Sequence, residues 1–380
     1  LENLEIKYLD GDGNMLDDIY KGKKILLTGH TGFKGGWLSL WLDALGANVV
    51  GYSLDPPSEP NFYNAVGLSE NLKHIHGDLR DFRKLCEVIS ENRPEMIFHL
   101  AAQALVRCSY QEPRYTYETN VMGTVNLLEA VRQSDCVRAL VCVTSDKCYA
   151  NREWIWGYRE NDPMGGDDPY SSSKGCAELV VSAYTRSFFP PENYAKDHRV
   201  AVASARAGNV IGGGDWATDR LVPDCVSALS SGEKIRIRYK KAIRPWQYVL
   251  EPLYGYLLLG AKLWKNGTEF SGGWNFGPVD SDLWTVEELT REICRLWGEG
   301  DFFIDSLKQP HEANWLKLDC SKALIQLGWR PCYTVSRALE QTIQWYRNYY
   351  AGMSQKKLKE FTLGQINQYQ VEKSKKDLEF

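Results

Sequence analysis

This 380-residue chain is short of several features, and each absence removes a class of function. No window approaches the roughly 18 consecutive apolar residues of a membrane-spanning helix, so no membrane partner is expected. Basic residues show no excess: 45 Lys and Arg stand against 49 Asp and Glu, a formal charge of -4, so no nucleic-acid partner is expected either. The start, "LENLEIKYLDGDGNML", lacks a charged segment followed by an apolar core, which reads as no secretory signal. No two of the ten cysteines stand at the CxxC spacing of zinc ligands, and Cys142, Cys225 and Cys294 lie in apolar runs where a thiol behaves as a small hydrophobe. Reduced, structural thiols, no metal and a cytoplasmic location are the expectation. "DGDGN" at 10–14 is no calcium loop, because Met15 and Lys21 stand where glycine and glutamate are required. "GGGD" at 212–215 lacks the lysine and Ser/Thr of a P-loop.

The chain does hold an alternation. Strand-like runs "KILLT", "NVVGY", "EMIFHL", "ALVCVT" and "RVAVASA" are separated by helical stretches. Between the first two, Leu38, Trp41, Leu42 and Leu45 fall at helical spacing and Gly46 supplies a stop. Such alternation predicts an α/β fold: a Rossmann-type doubly wound parallel sheet with a smaller C-terminal substrate domain. The expected division is an N-terminal arm (1–20), a cofactor domain (21–208) and a mainly substrate-binding segment (209–350) with parts returning to the sheet. Residues 351–380, polar and lysine-bearing, read as a solvated tail.

"KILLTGHTGFKGGWLSLW" is strand, turn and helix start, with Gly29, Gly32 and Gly35 spaced GxxGxxG. Glycine there permits a tight turn and lets backbone amides approach a pyrophosphate at a helix N-terminus, which points to a dinucleotide. An acid ending the second strand binds the ribose of NAD. That position is Ser53, with Asp55 two residues on, while Lys34 in the loop is a candidate for a 2′-phosphate. NAD is the expected cofactor.

With "GDLRD", "HLAAQ", "TNVMGTVNLLEA" and "YSSSK" in order behind that loop, the chain resembles the extended short-chain dehydrogenase/reductases. "TSDKCY", "RAGNVIGGGDW", "IRPWQYVLEPL" and "HEANWLKLDCSKALIQLGWRP" are similar to the CDP-glucose 4,6-dehydratases within them, which supply deoxysugars for surface polysaccharide such as O-antigen. The resemblance implies Gly29, Gly32 and Gly35 at the pyrophosphate, Asp78 and Leu79 near the adenine, and Ala101 and Ala102 beside the cofactor. Thr31, Phe33, Lys34, Asp55, Leu100, Asn120 and Thr144, with Tyr170 and Lys174, complete the implied cofactor set.

The strand "LVCVT" runs into Ser145, Asp146 and Lys147. Tyr170 and Lys174, spaced i and i+4, share a helix face. A tyrosine titrates near ~10, and an ammonium beside it favours the phenolate, so Tyr170 is the expected acceptor of a sugar hydroxyl proton. Lys174 would also hold the nicotinamide ribose and Ser145 the reacting hydroxyl. A dehydratase needs two further groups: oxidation at C4 acidifies the C5 hydrogen, a base removes it, and an acid protonates the departing 6-hydroxyl. Asp146 matches the position the related enzymes use for the acid. Lys147 replaces their glutamate base, and is expected to act as a neutral base, or as a cation beside the enolate while another group takes the proton. A lysine merely paired to Asp146 is the bland alternative.

For the nucleotide-sugar substrate, the resemblance points to Arg244 and Asn209, with Gln103, Arg107, Arg220, His311 and Trp315 as further contacts. CDP-glucose is the expected substrate and a homo-oligomer, at least a dimer, the expected assembly. An epimerase, a dehydratase for another nucleotide, and a silent NAD-binding protein are the competing readings.

Overall fold

The computed structural model describes residues 15–70, 72–279, 282–305 and 316–378. Its centre is a seven-stranded sheet made of β1 (Lys24–Thr28), β2 (Asn48–Ser53), β3 (Lys73–His76), β4 (Met96–His99), β5 (Ala139–Val143), β6 (Ala201–Ala207) and β7 (Gly272–Phe276). The spatial order is 3-2-1-4-5-6-7 and every pairing is parallel, the doubly wound sheet expected from the alternation. The period of two along each strand divides the side chains between two cores. Leu26, Ile97, Leu140 and Val202 face one; Ile25, Phe98, Val141 and Ala203 face the other. Observed strand ends differ from the expected ones by one or two residues: β5 covers 139–143 and β6 covers 201–207.

Helices α1 (Phe33–Ala44), α2 (Phe82–Asn92), α3 (Gly123–Arg132) and α4 (Pro169–Phe188) make the crossovers. α4 matters most for function, and its start is well specified. Pro169 occupies the first turn and Asp168 accepts a hydrogen bond from Ser171 N at 2.9 Å, an N-cap that fixes where Tyr170 and Lys174 emerge.

Beyond residue 208 the chain forms α5 (Leu221–Ser230), then returns beneath the sheet as α6 (Leu250–Asn266) before β7. It leaves again through α7 (Val286–Trp297) and α8 (Val335–Tyr350). A short parallel pair, 235–237 with 302–304, and the helices α5 and α7 build the smaller unit.

Both termini depart from expectation. From Met15 the arm is helical, Leu16 is buried and Tyr20 Oη donates to Leu257 O at 2.6 Å. The polar tail is solvated on one side only: α9 (Gln355–Leu378) docks through Leu358, Thr362, Gln365, Ile366, Tyr369 and Lys373, all buried. Its stripe is half polar, so composition hid it, and hydrogen bonds make burial tolerable. Trp345 Nε1 donates to Thr362 at 2.9 Å and Gln365 Nε2 to Gln341 O at 2.8 Å.

The deepest of these contacts is Glu251 on α6. Its carboxylate accepts from Cys332 N and Tyr333 N, and from Tyr369 Oη of α9 at 2.7 Å. Burial outweighs those bonds and pushes its pKa up to about 7. A carboxyl raised above its unfolded value adds stability below that value, and the contribution is lost as pH climbs through about 7. At ~1.4 kcal/mol per unit, wild type should therefore lose roughly 2–3 kcal/mol relative to Glu251→Gln between pH 5 and 8. Denaturant unfolding of both proteins across that range measures it; parallel pH profiles would show that Glu251 does not titrate.

Candidate active site

The carboxyl ends of β1, β4, β5 and β6 meet at one edge of the sheet, where open α/β folds bind ligands. The glycine loop leaves β1 there. Gly29 has φ +77°, and a Cβ on it would stand 2.6 Å from Ala101 N; a Cβ on Gly35 would stand 2.1 Å from Gly29 O. Only glycine permits this packing of the loop against 100–101 and against its own helix start. Thr31 Oγ1 shares a hydrogen bond with Ser53 at 2.7 Å and donates to Leu54 O at 2.9 Å, tying the loop to the end of β2. Thr28 Oγ1 accepts from Ala101 N, and Leu100 N donates to Thr28 O, so the loop after β4 lies against the glycine loop. Phe33 is half-buried beside Gly212.

At the far side, Asp78 is gripped by Arg80 at 2.7 Å, which holds its carboxyl below the usual range, and Leu79 is buried against Gly123. Asp55 is exposed, 3.8 Å from His76.

β5 ends at Val143 and the next residues make the chemistry. Thr144 donates to Glu178. Ser145 caps a single turn, accepting from Lys147 N at 3.2 Å and donating to Asp146 Oδ1 at 2.9 Å. Gly208 makes room: a Cβ there would lie 2.8 Å from Asp146 Oδ2. Asp146 is 4% exposed, and burial raises its pKa against the pull of Lys147, the Ser145 hydrogen bond and Lys34. Desolvation thus outweighs the acid-strengthening pull of the neighbouring Lys147. Lys147 itself is half-buried.

Tyr170 is buried in the first turn of α4. Its pKa is pushed up to about 12, chiefly by burial and, more weakly, by Asp146. This reverses the expectation of a lowered value: the Lys174 ammonium stands 6.0 Å from the ring centroid, and desolvation of the phenolate prevails. Lys174, also buried, is itself lowered to about 8, with Glu178 opposing the effect of burial.

Lys34 is close enough to Lys174, Arg220, Asp146 and Asp215 to feel their charges, and burial with those cations lowers it to about 8. The amine lies 6.0 Å from the Tyr256 ring. Tyr256, on α6, is fully buried, its hydroxyl has no hydrogen-bond partner among the described residues, and it feels Tyr170 and Asp146. Neither contact was read from the sequence, because Tyr256 sits in an apolar helix that looks like core.

A buried pair underlies the site. Glu178 on α4 meets Arg206 on β6 at 2.7 Å, and Ser204 donates to the same carboxylate at 2.7 Å. Arg206 also donates to Tyr149 Oη at 2.6 Å, which donates on to Asn275 at 2.7 Å. Lys174 and Glu178 are one turn apart, a spacing that is itself a signal in the sequence, though one that the YxxxK pattern overshadows.

The expected substrate contacts scatter more widely. Gln103 is buried and spent on internal bonds: Nε2 donates to Thr116 at 2.8 Å and Oε1 accepts from Leu105 N. It braces the loop with Asn120, which donates to Ser173 on α4 at 2.8 Å and accepts from Gln103 N. Ala101 and Ala102 are half-buried on that loop. Arg220 is tied to Asp215 at 2.8 Å and senses Tyr170, so it borders the reacting centre. Arg107 meets Asp219 at 3.1 Å, and Arg238 meets the same carboxylate at 2.8 Å, a cationic cluster at the mouth. Asn209 is exposed and its carbonyl accepts from Gln247 N; Arg244 is half-buried on the 243–244 strand. His311 and Trp315 lie outside the described residues. Among the described residues no group of His, Cys, Asp and Glu forms a metal site, and no helix is long and apolar enough to cross a membrane.

Known proteins resemble this arrangement along most of its length. The GDP-mannose 4,6 dehydratase family matches residues 26–342. A CDP-glucose 4,6-dehydratase of Salmonella typhimurium is 53% identical over 340 residues, 89% of this chain and 94% of the relative. A dTDP-glucose 4,6-dehydratase of Xanthomonas campestris pv. campestris is 26% identical, over 84% of this chain and 92% of its own. Among solved structures, the dTDP-glucose 4,6-dehydratase of Streptomyces venezuelae with NAD and TYD bound superposes with a TM-score of 0.73 at 25% identity, covering 86% of this chain and 98% of its own. A UDP-glucose 4-epimerase of Thermotoga maritima shares the fold with a TM-score of 0.73 at 23% identity, over 86% of this chain and 99% of its own. The match to the family spans more than half of the chain, and with the buried Asp146 beside Ser145, Tyr170 and Lys174 the conclusion is direct: the chain belongs to the nucleotide-sugar 4,6-dehydratases.

Proposed function

We propose that this chain is an NAD-dependent CDP-glucose 4,6-dehydratase, converting CDP-glucose to CDP-4-keto-6-deoxyglucose. The observation that carries the reading is a carboxyl group, Asp146, buried at the end of β5, hydrogen-bonded by Ser145 and within electrostatic reach of the tyrosine of the YxxxK pair. A simple epimerase has no hydroxyl to expel and no use for such an acid.

The residues present suit a dinucleotide: the loop at Gly29 and Gly35 has no room for a Cβ and opens onto a helix N-terminus. Thr31 and Ser53 offer hydroxyls at the end of β2, which suit the ribose of NAD. Bound NAD supplies the acceptor and donor of the hydride. Tyr170 takes the proton of the C4 hydroxyl, aided by Ser145. Asp146, its pKa raised by burial, protonates the 6-hydroxyl as it leaves. Lys147 stands next to it and takes the C5 proton or steadies the enolate. Arg220, Arg107 and Arg244 are the cations for the diphosphate.

All ten cysteines are free, which supports a reducing, cytoplasmic setting. Exposed Leu179 and Phe188 on α4, with Tyr110 and Met122 on the neighbouring segments, support a homodimer packed through this face.

Substrate, base and assembly can each be tested. With NAD and CDP-, dTDP-, GDP- or UDP-glucose offered separately, mass spectrometry should show loss of one water from the CDP sugar; loss from another nucleotide instead would overturn the substrate assignment. Lys147→Met should slow exchange of the C5 hydrogen with solvent by about 100-fold, read by deuterium incorporation, whereas a wild-type rate would remove Lys147 from that step. Leu179→Glu should shift the protein to monomers in light scattering, and a wild-type mass there would place the interface elsewhere.

A further inference from the structure

The segment "GGGDW", residues 212–216, is no P-loop, and the chemistry above leaves it without a task. Its packing is nevertheless tight. A Cβ on Gly213 would stand 2.1 Å from the Trp345 ring, and one on Gly214, whose φ is +85°, would stand 2.4 Å from the Phe62 ring. The loop is also bonded in place. Trp37 Nε1 on α1 donates to Gly213 O at 2.9 Å, and Tyr346 Oη on α8 donates to Asp215 O. It is thereby fixed to the helix that begins in the glycine loop, and Gly212 lies beside Phe33 at that helix's start.

This rigid loop delivers one acid. Asp215 is 4% exposed and both its oxygens are used: Oδ1 accepts from Ala217 N at 3.1 Å and Oδ2 from Arg220 at 2.8 Å. The ion pair closes the loop 215–220 at its two ends. Inside it Asp219 has φ +63°, a left-handed conformation that persists where the surroundings impose it. Asp219 accepts from Arg107 at 3.1 Å and from Arg238 at 2.8 Å. Two carboxylates of one loop therefore gather three arginines from separate parts of the chain. The Arg220 side chain is 36% exposed while that of Asp215 is 5%, so a ligand meets the cation first. Among the described residues Asp215 is the only hydrogen-bond partner of the Arg220 guanidinium, and most of its five N–H donors remain for a ligand.

We propose that Asp215 is a positioning residue for the diphosphate of the nucleotide-sugar: it holds Arg220 in the orientation in which the guanidinium receives phosphate oxygens. Asp219 does the same for Arg107 and for Arg238, which joins the cations expected from the sequence. The proposal rests on the dehydratase reading and deepens it.

The physical reason is preorganisation. A guanidinium on a long stem loses rotational freedom when it grips an anion, and that ordering weakens binding unless it has been done in advance. A fork already set by a carboxylate also presents its remaining donors in the planar pattern that matches two phosphate oxygens. The buried acid repels a diphosphate as well, so it helps only where fixing the arginine outweighs that repulsion. No bond is made or broken at this end of the substrate, and Asp215 takes no part in the hydride or proton steps.

Asp215→Asn tests this cleanly, because the amide keeps the shape and the acceptor for Ala217 N and removes the charge that holds Arg220. With NAD saturating, KM for CDP-glucose should rise about 10-fold while kcat changes much less. Calorimetry on the NAD-loaded protein separates the diphosphate from the base. Binding of CDP should weaken by about the same factor, and binding of cytidine, which has no phosphate, should stay as in wild type. Arg238→Gln should show the same selective loss. Since the acid acts through the arginine, adding Asp215→Asn to Arg220→Gln should weaken CDP no further. Unchanged or tighter CDP binding in Asp215→Asn, an equal loss for cytidine, or losses that add in the double variant would overturn the positioning role and leave the dehydratase reading standing. Wild-type protein that neither binds CDP nor removes water from CDP-glucose would overturn both.

Discussion

A carboxyl group kept out of water at the end of the central strand is the constraint on which this site turns. Asp146 is surrounded by a serine hydroxyl, two lysines within electrostatic reach and little solvent. Taking a carboxylate from water without full compensation costs several kcal/mol, and the group answers by holding its proton more firmly. The fold enforces that position. β5 is buried along its whole length between β4 and β6, Ser145 caps the turn that follows, and Gly208 leaves the gap into which the carboxylate fits.

The surrounding charges are arranged so that this works. Lys174 and Glu178 lie one turn apart on α4, and Glu178 is bound by Arg206, Ser204 and Thr144, which ties the helix to β5 and β6. Removing either member of the buried pair would strand a charge and cost roughly 3–5 kcal/mol. The same carboxylate raises the pKa of Lys174 against burial, so one pair serves both the scaffold and the ammonium beside Tyr170. Lys34, its amine 6.0 Å from the Tyr256 ring, and Tyr256 itself also lie within electrostatic reach of Asp146.

Much of this is legible in the sequence, and for identifiable reasons. The glycine loop, the Tyr170–Lys174 spacing and the Ser145–Asp146–Lys147 run are local patterns with local geometry, and the sheet places them together. The paired cores follow from alternation along strands such as "KILLT". What escapes such a reading depends on direction and distance. The phenol of Tyr170 is raised because burial acts on it more strongly than an amine 6.0 Å from its ring, a balance no spacing reveals. Gln103 sits in a motif that suggests ligand contact, yet its amide is spent on Thr116 and Leu105. α9 hides its docking face among glutamines and lysines, and its partners Gln341 and Trp345 on α8, with the distant Glu251, help to make it a buried stripe.

The central claim, that burial raises the pKa of Asp146 over that of a free aspartate, is open to one direct measurement. Infrared spectra of the wild-type protein minus Asp146→Asn, recorded from about pH 3 to 8, isolate the carbonyl band of this single acid. A midpoint above the ~3.9 of a free aspartate is the predicted result. A midpoint at or below that value would mean the lysines and the serine prevail over desolvation, and Asp146 would lose its part in the chemistry of water loss.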